Sequence, residues 1–188
     1  MRIIGGKAKG RTLCFPSGSR ERPTSDFLRE ALFNLLGSLE DKIFLDLFAG
    51  SGSVGLEAVS RGAQCVYFIE KNKKLAAIIE KNIQTCSFDK KCFLITQDVE
   101  KGLNDIVKEK IEMDVIFADP PYNKNFIGTT MSLLNKYQIS KDGGLIVLQH
   151  SVKENIDEFV HEKTHLFDQR KYGENILTFL KWRKNDAG

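Results

Sequence analysis

Residues 42–70 read KIFLDLFAGSGSVGLEAVSRGAQCVYFIE, and the fold turns on how this stretch divides. KIFLDLFAG is apolar nearly throughout, the pattern of a strand buried on both faces. It runs into Gly50, Gly52 and Gly55, a GxGxxG spacing. SVGLEAVSRG then reads as a helix closed by Gly62. QCVYFIE is a second apolar strand, ending at Glu70. Strand, glycine loop, helix and strand in this order make a βαβ unit of a parallel sheet covered on both faces. The glycines let a cofactor approach the backbone where a helix start carries positive dipole. Glu70 stands eighteen positions after Gly52. A carboxylate there can accept both ribose hydroxyls of an adenosine. The plainer alternative is a tight structural turn and a surface acid.

The alternation continues downstream. KLAAIIEKNIQTC is a helix, CFLITQD a strand ending at Asp98, and VEKGLNDIVKEK a helix. DVIFADPP is a strand, FIGTTMSLLNKY a helix and GGLIVLQHS a strand. A short helix is expected near 153–160, and THLFDQRKYG and NILTFLKW read as two strands joined at Gly173. Upstream, TSDFLREALFNLLG is a helix with Phe27, Leu28, Ala31, Leu32, Leu35 and Leu36 on one face. Thr24 or Ser25 caps its start and Gly37 ends it. Residues 2–15, with Gly5, Gly6 and Gly10, read as a β-hairpin, and PSGSRERP as a loop. No repeat or interdomain linker is visible. The division expected is a basic N-terminal arm, 1–23, and one α/β domain, 24–188.

FADPPYNK poses a separate question. Two consecutive prolines cannot donate backbone hydrogen bonds and cannot sit inside a central strand. The strand must therefore end in a stiff turn, with Asp119 and Tyr122 flanking it. An acceptor and an aromatic ring on a rigid loop suit a flat, polar, stackable group such as a nucleobase.

The glycine loop alone does not separate NAD from S-adenosylmethionine. Ligands of doubly wound sheets sit beyond the carboxyl ends of the strands, so the glycine loop, Asp98 and the DPPY turn are expected to share one crevice. Asp98 could reach an adenine edge there. A dehydrogenase would need a proton relay, and the chain has no well-placed His. S-adenosylmethionine is the cofactor this pattern favours.

Charge and composition narrow the class. The 188 residues suit one domain with a small appendage, and 41% hydrophobic content suffices for a core. The start, MRIIGGKAKG, lacks the apolar core of a secretion signal, and no apolar run nears the roughly 20 residues that span a bilayer. A soluble, cytoplasmic, membrane-free protein is expected. Cys14, Cys65, Cys86 and Cys92 form no CxxC pair and read as reduced thiols. His161 and His165 would share a helix face, but without a third ligand they make no metal site. The net charge is +3, unevenly spread: residues 1–29 hold seven bases and two acids, a net +5, leaving −2 for the rest. A basic arm on a near-neutral body suggests a polyanion partner. A solvated hairpin whose charges protect an edge strand is the alternative.

DLFAGSG followed by DPPY resembles the amino-methyltransferases that act on exocyclic amines of nucleobases. MRIIGGKAKGR, RPTSDFLREALFNLLG, DLFAGSGSVGLEAVSRGA, FADPPY and YGENIL, in this order and spacing, resemble the RsmD family of 16S ribosomal RNA guanine-N2 methyltransferases. The resemblance covers nearly the whole chain. DPPY is shared by many DNA and RNA methyltransferases, whereas the two N-terminal blocks are far more specific. Gln149 departs from the pattern, standing where an acid is expected before the His, and Ala118 stands where Leu is expected. Neither is expected to touch the chemistry.

The resemblance implies a Rossmann-like class I methyltransferase: a doubly wound seven-stranded sheet whose last two strands form an antiparallel hairpin. It implies S-adenosylmethionine as donor and a guanine N2 amine of small-subunit RNA as acceptor. It also places Phe48 beside the cofactor. Asp46 is a candidate for the amino group of the methionine moiety, and Thr24 for the rim of the site. The guanine amine is a poor nucleophile because the ring shares its lone pair. Asp119 and the Pro120 carbonyl can accept its two N–H bonds, and Tyr122 can stack on the extruded base for roughly 1–3 kcal/mol. No metal is called for. Arg2, Lys7, Lys9, Arg11 and Arg22 would grip flanking phosphates of free RNA or an assembled subunit. A monomer is expected. An adenine-N6 methyltransferase and a non-catalytic RNA-binding assembly factor remain the competing readings.

Overall fold

The first helix, α1, runs Asp26–Leu36 between two local stop signals. Ser25 Oγ accepts the Leu28 N–H at 3.2 Å, a side-chain cap. Gly37, at φ 69°, closes the other end by donating its N–H to the Phe33 carbonyl. The face differs from the sequence pattern. Phe27 is 68% exposed, and the fully buried position next to Leu28 belongs to Arg29. The cause is polar: Arg29 Nη2 donates to the Arg2 carbonyl at 2.7 Å and to Asp26 Oδ1 at 2.8 Å. Leu28, Leu32 and Phe33 complete the buried stripe.

This computed structural model describes residues 1–16, 24–121, 126–156, 158 and 163–184. The chain divides into two compact units, Met1–Asp98 and Val99–Gly188.

In the first unit, β1 (Ile43–Leu47), β2 (Cys65–Ile69) and β3 (Cys92–Ile95) pair in parallel, with Asp46 opposite Phe68 and Phe68 opposite Leu94. Between them run α2 (Ser53–Ser60) and α3 (Lys73–Cys86). Every residue of α2 is buried. A Cβ added at Gly55 would meet the Phe68 ring at 2.3 Å, so this glycine lets the helix lie close on β2.

The expected N-terminal hairpin is present in reduced form. A single antiparallel bridge joins Arg2 and Thr12, and Ile3 N donates to Arg11 O at 2.9 Å. What holds the segment is α2. The Ile4 and Gly5 N–H groups donate to the two oxygens of buried Glu57 at 2.9 and 2.7 Å, and Arg61 Nε donates to the same carboxylate at 2.8 Å. The Ala8 N–H donates to Ser60 Oγ at 2.9 Å, and that hydroxyl donates to the Gly5 carbonyl. At Gly6, φ is +72°, and an added Cβ would lie 1.8 Å from the Ser60 carbonyl oxygen. Only glycine fits there.

The second unit contains α4 (Val99–Lys108), β4 (Met113–Ala118), α5 (Phe126–Tyr137), β5 (Ser140–Ser151), β6 (Thr164–Tyr172) and β7 (Asn175–Trp182). β4 and β5 are parallel, while β5–β7 and β6–β7 are antiparallel. The last two strands turn at Gly173, φ +60°, as the sequence suggests. β5 begins at Ser140, earlier than expected, and a register shift between Met113 and Val115 accommodates the extra length. The helix expected near 153–160 falls partly outside the described residues; 152 and 153 form a turn. Seven strands result, in the order β3-β2-β1 within the first unit and β4-β5-β7-β6 within the second. Among the described residues no helix is long and apolar enough to cross a membrane.

Candidate functional site

The glycine loop of the first unit is built from the end of β1 to the start of α2. Gly50 (φ +57°) and Gly52 (φ +76°) are both left-handed, which is cheap only for glycine. A Cβ built at Gly50 would meet nothing nearer than the Phe48 carbonyl oxygen at 4.0 Å, so the space beside this backbone is open. At Gly52 the same atom would press on Ile79 at 3.2 Å. Phe48, a bulky residue at φ +60°, carries a conformational cost of about 1–3 kcal/mol. Such strain clusters where a site needs it.

Glu70 lies against this loop. Its Oε2 accepts the Gly50 N–H at 2.9 Å and its Oε1 the Asn72 N–H at 2.7 Å. One carboxylate thus fixes the turn after β1 and the start of α3. Asp46 is almost fully buried, and its Oδ2 accepts the Gly55 N–H at 2.9 Å. It serves as the cap that Gly52, lacking a side chain, cannot supply to α2. The open space over Gly50, the left-handed glycines and the acid at the strand end fit an adenosine cofactor. Asp98, half-buried, immediately precedes α4.

Two buried polar residues that anchor the N-terminal segment escape a reading of sequence. Asn82 is fully buried; its Nδ2 donates to the Ser51 and Cys14 carbonyls, each at 3.0 Å, and its Oδ1 accepts the Cys14 N–H at 2.7 Å. It ties the N-terminal segment to the glycine loop. Glu57 holds the same segment from α2. The available signal was a polar residue on an otherwise apolar face, Asn82 beside Ile79 and Ile83, and Glu57 within SVGLEAVS.

In the second unit, Asp119 follows β4 directly, and Pro120 is buried behind it. Tyr122 lies outside the described residues. Gln149, on β5, donates from Nε2 to Asp119 Oδ2 at 3.0 Å. Gln149, expected to stay clear of the proposed chemistry, thus contacts the acid proposed for it: the β4–β5 register, with Ala118 opposite Leu148, brings 149 to Asp119. His150 is buried and hydrogen-bonds Thr178 Oγ1 at 2.9 Å through Nε2. Burial, above all, lowers its pKa below the usual 6.5.

Of the basic residues, Arg2, Lys7, Lys9 and Arg11 are exposed, while Ile3, Ala8 and Leu13 of the same segment are buried. Arg2 lies 3.7 Å from Asp26. Arg22 is outside the described residues. Arg29, counted in the basic segment, is buried and takes no part in its surface. All four cysteines are free thiols, and burial pushes Cys92 up to about 12. Among the described residues no three His, Cys, Asp or Glu side chains are grouped to hold a metal.

Sheet order and glycine loop together define a Rossmann-like class I methyltransferase fold. The chain belongs to the family described as conserved hypothetical protein 95, whose profile matches residues 1–181; this is the RsmD family. Ribosomal RNA small subunit methyltransferase D of Haemophilus influenzae is 36% identical over 155 residues, 79% of this chain and 78% of that protein. Its namesake in Escherichia coli is 32% identical over 157 residues, 83% and 77% of the two chains. The solved structure of a hypothetical protein from Thermus thermophilus matches with a TM-score of 0.81 at 32% identity, covering 95% of this chain and 98% of that one. A structure solved with S-adenosylhomocysteine shares the fold at TM-score 0.68 and 18% identity, over 82% of this chain and 48% of that chain.

Proposed function

We propose that this protein methylates the exocyclic N2 amine of a guanine in small-subunit ribosomal RNA. The observation that carries the reading is the presence in one chain of a left-handed glycine loop closed by Glu70 and of a strand that ends in Asp119 and two prolines. The names of the relatives support ribosomal RNA as the substrate class. S-adenosylmethionine is the methyl donor; when bound it supplies an electrophilic methyl group on a sulfonium. Gly50, Gly52 and Glu70 would hold it, with Phe48, Asp46 and Asp98 completing the surroundings. Glu70 would then have two tasks, since it already fixes the loop through Gly50 and Asn72.

The acceptor side belongs to Asp119, Pro120 and Tyr122. An amine conjugated with a purine ring attacks poorly. Asp119 and the Pro120 carbonyl accept its two N–H bonds, which concentrates the lone pair on nitrogen. Forming the new N–C bond obliges the nitrogen to release one of those protons, along a hydrogen bond to an acceptor or to water. Tyr122 stacks on the base. The two prolines keep the acceptors from relaxing away, which is preorganisation. Residues 1–23 act as the RNA-gripping arm of the methyltransferase domain 24–188, through Arg2, Lys7, Lys9, Arg11 and Arg22. The pairing edge of guanine carries both an N1–H and an N2 amine, and a carboxylate matches that donor pair better than it matches adenine.

The test uses labelled S-adenosylmethionine with small subunits and with naked RNA, followed by nucleoside analysis. The expected product is N2-methylguanosine. Asp119→Ala should cut turnover by orders of magnitude and leave cofactor affinity nearly unchanged. N6-methyladenosine as product would shift the reading to the adenine enzyme. Absence of transfer with tight RNA binding would favour an assembly factor.

A further inference from the structure

We propose that Gln149 is a positioning residue that orients the carboxylate of Asp119 toward the acceptor amine. The inference rests on the reading of Asp119 given above. Gln149 sits on β5 between two ladders. On one side β4 runs parallel, with Ala118 opposite Leu148 just before Asp119; on the other, Leu177 of β7 faces Gln149 itself. The backbone that carries the amide is therefore held on both sides. Its side chain is only 4% exposed, and Nε2 donates to Asp119 Oδ2 at 3.0 Å.

An ionised carboxylate can only accept, so the amide must turn its NH2 end toward it. The two devices are complementary. Pro120 and Pro121 stiffen the main chain after Asp119, whereas Gln149 restrains the side-chain torsions that prolines do not reach. A carboxylate held in one orientation offers its acceptor lone pairs without reorganisation during the reaction. The residue type matters as much as the contact. A Glu in this place would set a second carboxyl against the first, and two so close resist ionising together. The amide has the same shape and a donor that does not titrate.

The experiment measures single-turnover methyl transfer to small-subunit RNA across a pH series. It compares wild type, Gln149→Leu, Gln149→Glu, Asp119→Ala and the Asp119→Ala/Gln149→Leu double variant. Gln149→Leu should slow transfer about ten- to a hundredfold, the worth of one hydrogen bond to a charged group, with cofactor affinity unchanged. In the Asp119→Ala background the same change should cost nothing further, because Gln149 acts through Asp119. Gln149→Glu should move the acid limb of the pH–rate profile to higher pH, and this arm stands alone if the Asp119→Ala background is too slow to read. An equal loss in both backgrounds would reduce Gln149 to a packing residue. So would an acid limb that stays in place in the near-isosteric Glu variant. A fully active Asp119→Ala enzyme is a different failure: it removes the catalytic reading of Asp119 itself.

Discussion

Within Met1–Asp98 the buried acids Asp46, Glu57 and Glu70 all accept backbone N–H groups, whereas within Val99–Gly188 Asp119 is gripped by a side-chain amide. The first arrangement is architectural. Each acid fastens a loop or a helix end, so its removal leaves buried donors without partners. The second restrains the side chain of Asp119, the proposed amine acceptor, and fastens no backbone group. Under the proposed function, the same chemistry of acceptor and donor serves stability in one unit and orientation in the other. Variants of the first kind should change folding free energy, those at Glu70 and Asp46 cofactor binding as well under the proposed function, and variants of the second should change rate.

The largest stability effect expected is at Glu57. Glu57→Ala leaves the Ile4 and Gly5 N–H groups and Arg61 without their shared acceptor, and loss of one member of a buried pair costs about 3–5 kcal/mol. Urea denaturation reads this directly. A loss below about 1 kcal/mol, the range of surface pairs, would break the contrast drawn between the two units.

The arm offers a smaller effect that sharpens it. Lys7, Lys9 and Arg11 are exposed, so neutralising all three should leave stability nearly untouched. RNA affinity across a salt series should weaken and its log–log slope flatten by roughly 0.7–0.9 for each lost phosphate contact. Parallel lines of equal slope would mean that these side chains release no counterions, and the arm would be only a solvated loop pinned to α2.

The smallest effect is a pH dependence in the second unit. His150 is buried, and its pKa is lowered from 6.5, desolvation being the main cause. The unfolded chain then takes up a proton that the folded chain refuses. The sign follows: this contribution is complete above about 6.5 and is lost as pH falls through that value toward the lower folded pKa. Thermal melts at about pH 7.5 and about pH 5.5 should show a decline that His150→Gln reduces. An unchanged decline in that variant would assign the pH dependence to other groups.

Local sequence determined the parts whose physics is local. The order of strands and helices follows from apolar periodicity. Gly37, Gly50, Gly52 and Gly173 stand where the chain adopts positive φ, and only a residue without Cβ does so at little cost. Ser25 caps α1, and the two prolines end the backbone run at Asp119, through groups a few residues apart. Tertiary structure decided which polar groups meet. Glu57 finds the N-terminal segment across 53 and 52 residues, Asn82 reaches Cys14 across 68, and Gln149 meets Asp119 across 30. Helical pattern alone put Phe27 inside and said nothing of Arg29, because periodicity records where apolar residues recur and not which buried cation has found a carbonyl and a carboxylate. Most buried polar side chains have a partner. Their own neighbourhood in sequence does not say which one, because strand register and helix packing make that choice over distances no local preference spans.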